Sequence, residues 1–335
     1  MRAIALPAPA PVDRRPLREV DLPDPDPAPN EIVLAVTACA VCRTDLQLCE
    51  GDVPARALPI VLGHQAVGSV VRVAEGVSGW SIGDRAGVGW LGWVDGTCRF
   101  CRSGHENLCP SARFTGWDRN GGFADQIAVT ADFAFRLPDG VPDLQAAPLL
   151  CGGIIGYRSL RVAGTQRGDR LGLYGFGASA RQALQVGRSW GCEVYVTTRS
   201  ERDRGRALEL GAAWAGPYDE RPPVALDAAV TFAPSGDVVV AALRALRPGG
   251  TVAINAIHLD RIPEFPYELL WEERSLRSVA NYTRGDGRAF LRLAQDIPVR
   301  SDVDVFPLTE SGVNDALAAL SAGVVAGAAV LVADG

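Results

Sequence analysis

Three cysteines fall within twelve residues, Cys98, Cys101 and Cys109, while Cys39, Cys42, Cys49, Cys151 and Cys192 stand apart. Thiols this dispersed do not make a small disulfide scaffold, and clustered cysteines in an intracellular chain point to metal or catalysis. Cys98-x2-Cys101 is a spacing that wraps readily around tetrahedral Zn²⁺, and Cys109 supplies a third thiolate. A closed structural site needs a fourth donor. Stepping back by the same three residues reaches Asp95, whose carboxylate can bind zinc, though less softly than sulfur. If Asp95 does not ligate, a water or no metal follows.

A second chemistry lies in Gly175-Phe176-Gly177-Ala178-Ser179-Ala180. This loop follows the apolar run Leu171–Tyr174 and opens a segment with Ala180, Ala183, Leu184 and Gly187 at helical spacing. In that context Gly175 permits a tight turn and Gly177 lets the backbone approach a pyrophosphate. The first N–H groups of the helix, over Ala178 and Ser179, bind it. Ala180 stands where a third glycine usually sits, and a merely tight turn is the competing reading. About twenty residues further on, NAD sites carry Asp or Glu for the ribose. Here the chain reads Thr197-Thr198-Arg199-Ser200. A carboxylate would repel a 2′-phosphate and Arg199 would pair with one, so NADP(H) is expected over NAD(H). The bland alternative is a solvated Arg199.

The elements that must position these groups fall into two textures. Residues 1 to about 150 are β-rich, with Val/Ile runs such as Glu31–Val36 and Gly68–Val73 between Pro, Gly and Asp turns. From Cys151 onward strands and helices alternate: strand Cys192–Thr197, helix Arg202–Leu210, strand Leu226–Phe232, helix Ser235–Leu246, then Pro248-Gly249-Gly250 and strand Thr251–Ile257. Such alternation predicts a parallel sheet with helices on both faces. The last fifty or so residues return to short strands and one helix, Gly312–Ser321, expected to rejoin the first domain. The formal charge is −6 with no basic run, which argues against nucleic acid or an anionic membrane. The longest apolar run, Ala322–Ala333, is too short to cross a bilayer, and the N-terminus lacks the apolar core of a signal peptide. A soluble, cytoplasmic protein acting on a small molecule is expected.

Taken together, these residues resemble the zinc-dependent medium-chain alcohol dehydrogenase family over essentially the full length. The resemblance is carried by Val41-Cys42-Arg43-Thr44-Asp45-Leu46, Gly63-His64-Gln65-Ala66-Val67-Gly68, Gly83-Asp84-Arg85, the 95–109 lobe, Pro148-Leu149-Leu150-Cys151-Gly152-Gly153 and the glycine loop. It implies an α/β protein: a GroES-like, β-rich catalytic domain (residues 1–152 and 284–335, zinc lobe at about 93–111) plus a Rossmann doubly wound cofactor domain (153–283). The active site would lie in the cleft between them. Two Zn²⁺ per chain and a homodimer or homotetramer are implied as well. Cys42, His64 and Cys151 look like catalytic zinc ligands, a set that leaves one coordination position open. For His64 a core histidine beside a glycine turn is the alternative. Cys39, Cys49 and Cys192 match no ligand position and read as packing residues.

By the same resemblance, the Thr44 hydroxyl would exchange a proton with the substrate oxygen, and Arg43 would contact the pyrophosphate. Otherwise Thr44 is an ordinary helix-start residue. Asn281-Tyr282-Thr283-Arg284 matches the exit from the nucleotide domain, bringing Arg284 toward the cofactor. Trp90, Trp93 and Trp117 line the substrate pocket or pack the lobe. His258 lies near the nicotinamide or on the surface. Two residues depart from the family pattern. Gln65 replaces the usual Glu after the ligand histidine, so the site lacks a carboxylate able to visit the metal and should be somewhat more electrophilic. Gln47 replaces a relay His and cannot titrate, which should slow alcohol oxidation near neutral pH. The expectation is a zinc oxidoreductase moving hydride between NADP(H) and a carbonyl or alcohol, favouring reduction. The alternatives are an iminium or activated C=C reductase on the same scaffold, and a non-catalytic nucleotide-binding protein.

Overall fold

A computed structural model describes residues 1–256 and 259–333; His258 and the expected strand end at Ile257 lie outside the described residues. The chain divides into two compact units, Met1–Cys151 together with the chain from Tyr282 onward, and Gly152–Asn281.

The first unit is organised by the strand Glu31–Val41. Its EIVLAVTACAV run is apolar and mostly buried on both faces, so it takes a central place in a seven-stranded sheet. Ala66–Val73 pairs with it on one side, and Ala328–Val332 on the other; both pairings are antiparallel. The chain end therefore does return to this unit, opposite Ala38–Val41. Gln126–Thr130 completes the central strand's pairing along Glu31–Ala35. Helix Glu310–Ser321 starts two residues earlier than its periodicity suggests, because the Thr309 hydroxyl accepts from Gly312 N–H as a cap. Cys39 and Cys49 are free thiols in the core of this unit.

Among the described residues the second unit holds six parallel strands. Their spatial order is Trp214–Gly216, Glu193–Thr197, Arg170–Tyr174, Leu226–Thr231, Leu246–Ile254 and Ser275–Ser278, which reads 3-2-1-4-5-6 along the chain. The helices Ala178–Ser189, Glu201–Glu209 and Gly236–Ala245 intervene. Leu226, Ala229, Val239 and Leu243 belong to one buried core in which the last of these helices packs on the sheet. In this unit the largest difference from the expected boundaries is in the fifth strand, the others shifting by one residue. The fifth strand begins at Leu246, not Thr251, so Pro248-Gly249-Gly250 lies inside it. A register slip between Leu226 and Ala228 absorbs the extra residues as a bulge.

Another helical run is not announced by residue periodicity: Asp143–Pro148, a π turn over Leu149–Gly153, then Ile154–Val162. Gly152-Gly153 disfavours helix locally, and tertiary packing overrides that preference. Among the described residues no helix is long and apolar enough to cross a membrane.

Candidate active site

Among the described residues two clusters of side chains that could hold a metal form, both in the first unit. In the lobe, Asp95 Oδ1 accepts from Thr97 N–H at 2.7 Å and Cys98 N–H at 2.8 Å. That turn leaves Oδ2 free to face Cys109, whose Sγ is 3.2 Å away. The Cys98 N–H, then Cys109, hold the Asp95 carboxyl far below the usual carboxylate range. Cys98 and Cys101 place their sulfurs 3.6 Å apart, and one donor atom from each of the four residues lies within 4.8 Å of the others. Three thiols and an anionic oxygen at this separation fit a closed tetrahedral zinc site.

The second cluster joins Cys42, His64 and Cys151, with donor atoms again within 4.8 Å of one another. Cys42 directly follows the central strand and stands at the N-cap of the helix Arg43–Glu50. His64 follows a tight turn at Gly63, where φ is +91° and an added Cβ would lie 2.4 Å from the Phe123 ring. Only glycine fits there. Cys151 projects from the π turn, an irregularity common at functional sites. Its Sγ is 3.9 Å from that of Cys42. Both ring nitrogens of His64 are buried without a hydrogen bond among the described residues, and of the two Nδ1 faces the Asp45 carboxylate at 3.3 Å. A buried ring nitrogen without a partner is costly unless something binds it. With two sulfurs beside it, the donor set fits Zn²⁺ with one position left open.

Asp45 organises this cluster, and residue types alone assign it no role. It is fully buried. Its Oδ2 accepts from Cys42 N–H at 2.8 Å, and its Oδ1 accepts from Gly63 N–H at 3.1 Å and lies 3.3 Å from His64 Nδ1. One carboxylate thus orients two of the three ligands, as carboxylates behind metal-bound histidines do. Burial by itself would lower the His64 pKa, but the Asp45 charge and contact outweigh it and push it up to about 10. The bond from Cys151 holds the Cys42 thiol well below its ordinary value. Cys151, donating that proton, is correspondingly raised. The usable signal is Asp at the third helical position after Cys42, the partner half of a capping box.

The remaining candidates sort as follows. Thr44 is buried, with Oγ1 3.8 Å from Cys42 Sγ. Arg43 is exposed and Gln47 half-buried on the same helix. Gln65 is buried and its amide donates to the Ala40 carbonyl at 3.2 Å, a bond an ionised Glu could not make. Trp90 meets His64 edge-on with ring centroids 4.8 Å apart and so walls the cluster, while Trp117 stacks on Trp90 at 5.7 Å. Trp93 is not with them; it lies in the small lobe sheet under Arg113. Arg284 is taken up by Glu106, which accepts from its backbone N–H at 2.7 Å and from Nη2 at 2.7 Å.

In the second unit, Gly175 has φ +91°, and a Cβ there would lie 2.9 Å from Ala233 N. Gly177 caps the helix Ala178–Ser189 with open space beside it, Phe176 and Ala180 are buried, and Ala178 and Ser179 are half-buried in the first turn. Exposed Arg199 lines a cavity of about 740 Å³ with Tyr218, Ala233 and Arg244; Asp219, Asp237 and Glu264 line it as well. Thr198 is buried and its N–H donates to Gly216 O. Ser200 caps the next helix by accepting from Asp203 N–H.

Residues 28–139 match the alcohol dehydrogenase GroES-like domain. The probable alcohol dehydrogenase AdhA of Mycobacterium tuberculosis is 48% identical over 96% of this chain and 94% of its own length. An alcohol dehydrogenase of Geobacillus stearothermophilus is 30% identical over 94% of each chain. Among solved structures, a cinnamyl alcohol dehydrogenase from Sorghum bicolor superposes with a TM-score of 0.88 at 26% identity, covering 98% of this chain and 96% of that one. Strand order, metal-ligand clusters and full-length relatives agree: the chain belongs to the medium-chain alcohol dehydrogenases, with a GroES-like domain and a Rossmann-type parallel sheet, and is an oxidoreductase acting on CH–OH groups.

Proposed function

We propose that the protein is a zinc-dependent, NADP(H)-linked oxidoreductase that interconverts a carbonyl and an alcohol, working chiefly as an aldehyde or ketone reductase, with two zinc ions per chain. The observation carrying this reading is the cluster of Cys42, His64 and Cys151 with a buried, unbonded His64 Nε2. Cys42, His64 and Cys151 would hold the catalytic ion and Asp95, Cys98, Cys101 and Cys109 the structural one. The bound ion supplies Lewis acidity at the substrate oxygen, and the nicotinamide supplies hydride.

The chain's own residues do the rest. Thr44 offers a buried hydroxyl beside Cys42 that hands its proton to the reduced oxygen. Trp90 and Trp117 present flat apolar surface that keeps water from the reacting atoms. The helix start at Gly177 receives the pyrophosphate, with Arg43 as a second contact. Arg199 selects the 2′-phosphate, supported by the absence of a carboxylate at Thr197-Thr198-Arg199-Ser200. Gln47 carries no titratable proton, so the proton replacing that of Thr44 comes from water. This favours reduction, in which protons are consumed.

Metal analysis together with NADPH- and NADH-driven reduction of aldehydes, enones and cyclic imines tests the proposal. Two zinc ions per chain and aldehyde turnover faster with NADPH are expected. A chain with an empty Cys42 cluster, or one that reduces only C=C or C=N bonds, refutes it.

A further inference from the structure

We propose that the first unit carries an accessory site for a small organic carboxylate with a flat apolar body, in a cavity bounded by the turn at Trp80 and the helix Arg284–Asp296. The cavity measures about 380 Å³, at the low end of the range that holds small molecules. Its apolar lining includes the buried Phe135 and Leu291 and the half-buried Trp80 ring.

Charge decides what it would take. The chain has no lysine, so all 33 of its cationic side chains are guanidiniums, against a net charge of −6. Three of them, Arg136, Arg288 and Arg292, line this one cavity, and among the described residues the one carboxylate in the lining is Asp132. That carboxylate already faces Arg284 at 3.4 Å. Arg136 is engaged too: it pairs with Asp84 at 3.1 Å and lies over the Trp80 ring at 4.7 Å. Arg288 and Arg292 are different. Arg288 donates to the backbone oxygen of Asp132 at 3.3 Å, and the charge it shares beyond that is felt by Glu106. Arg292 has no ion pair or hydrogen bond among the described residues. The two stand one turn apart on the exposed side of the helix, a like-charge pair that is unfavourable until an anion sits between them. Guanidiniums grip carboxylates through paired N–H bonds, and the apolar lining suits a ring behind the carboxylate.

The test uses the full-length zinc-loaded protein with 5-fluorotryptophan at its seven tryptophans and ¹⁹F NMR during titration with benzoate. Trp80→Phe identifies the Trp80 resonance. Binding at the cavity moves that resonance, whereas benzoate captured at the metal cluster moves Trp90 and Trp117, so the two events are separable. Expected is a saturable shift of Trp80, weakened about tenfold or more in the Arg288→Gln/Arg292→Gln variant. Acetate, which lacks the ring, should bind several-fold more weakly than benzoate. No saturable Trp80 shift overturns the proposal, as does benzoate binding unchanged in the double variant. Acetate matching benzoate also overturns it, since the apolar lining would then contribute nothing.

Discussion

Replacing Asp45 by Asn is the most informative change at the metal cluster. The carboxylate serves three partners, Cys42 N–H, Gly63 N–H and His64 Nδ1, within 2.8–3.3 Å. Asn keeps one acceptor oxygen and turns the other into a donor, so at least one partner loses its acceptor. Hydrogen bonds to a charged group contribute about 1.5–3 kcal/mol each. Losing one loosens two ligands at once, and zinc affinity should fall about 10- to 100-fold, the range for carboxylates behind metal ligands. Asp45→Ala would be less informative. It bares all three donors at about 1–3 kcal/mol each, a sum on the order of the whole stability of a domain. The assay is competition for zinc with a chromogenic chelator near neutral pH, alongside the absorption spectrum of the cobalt-substituted protein. An Asp45→Asn variant that binds zinc within about threefold of the parent, with an unaltered cobalt spectrum, would refute the reasoning.

Three further outcomes follow from the same geometry. Thr44→Val keeps the volume but removes the hydroxyl, so turnover should drop by about 10²- to 10⁴-fold while zinc content and cofactor affinity persist; steady-state kinetics at parental rate would exclude Thr44 as the proton donor. Arg199→Ala should raise KM for NADPH about tenfold or more and leave that for NADH nearly unchanged, and equal effects on both would remove Arg199 from cofactor selection. Glu106 is drawn up by burial but held below its ordinary pKa by the bonds and charge of Arg284. A depressed carboxylate stabilises the fold above its unfolded pKa of about 4.3 and loses that contribution as pH falls through the lower, folded value. Thermal melts should therefore show the parent more stable than Glu106→Gln near neutral pH, with the gap closing below about pH 4; a gap independent of pH would count against the pair.

Much of the site is legible in the residue order because its signals are local. The glycine loop works through one turn and one helix start, and Cys98-x2-Cys101 closes its own chelate. Asp95 belongs to the same turn, and three backbone steps bring its carboxylate to Cys98 N–H. Where partners come from distant segments, residue types alone do not name them. Arg284 has the look of a cofactor contact, yet 178 positions back along the chain Glu106 claims its guanidinium. Trp93 is three residues from Trp90, but the short strand Leu91–Trp93 carries it to Arg113 while Trp90 turns to His64. The helical run around Cys151 escapes periodicity because Gly152-Gly153 resists helix in isolation.

The residue order alone pointed to the Cys98-x2-Cys101 chelate, to a glycine turn that opens a helix, and to the alternation of strand and helix through the second unit. Those are properties of neighbours, governed by backbone geometry within a few residues. Convergence was decided only in three dimensions. Cys42 and Cys151 are separated by 109 positions; one buried carboxylate, Asp45, joins the end of the central strand to the Gly63 turn, and the irregular helical run brings Cys151 to Cys42. No local preference encodes that meeting; burial of the apolar faces of those elements against one another creates it.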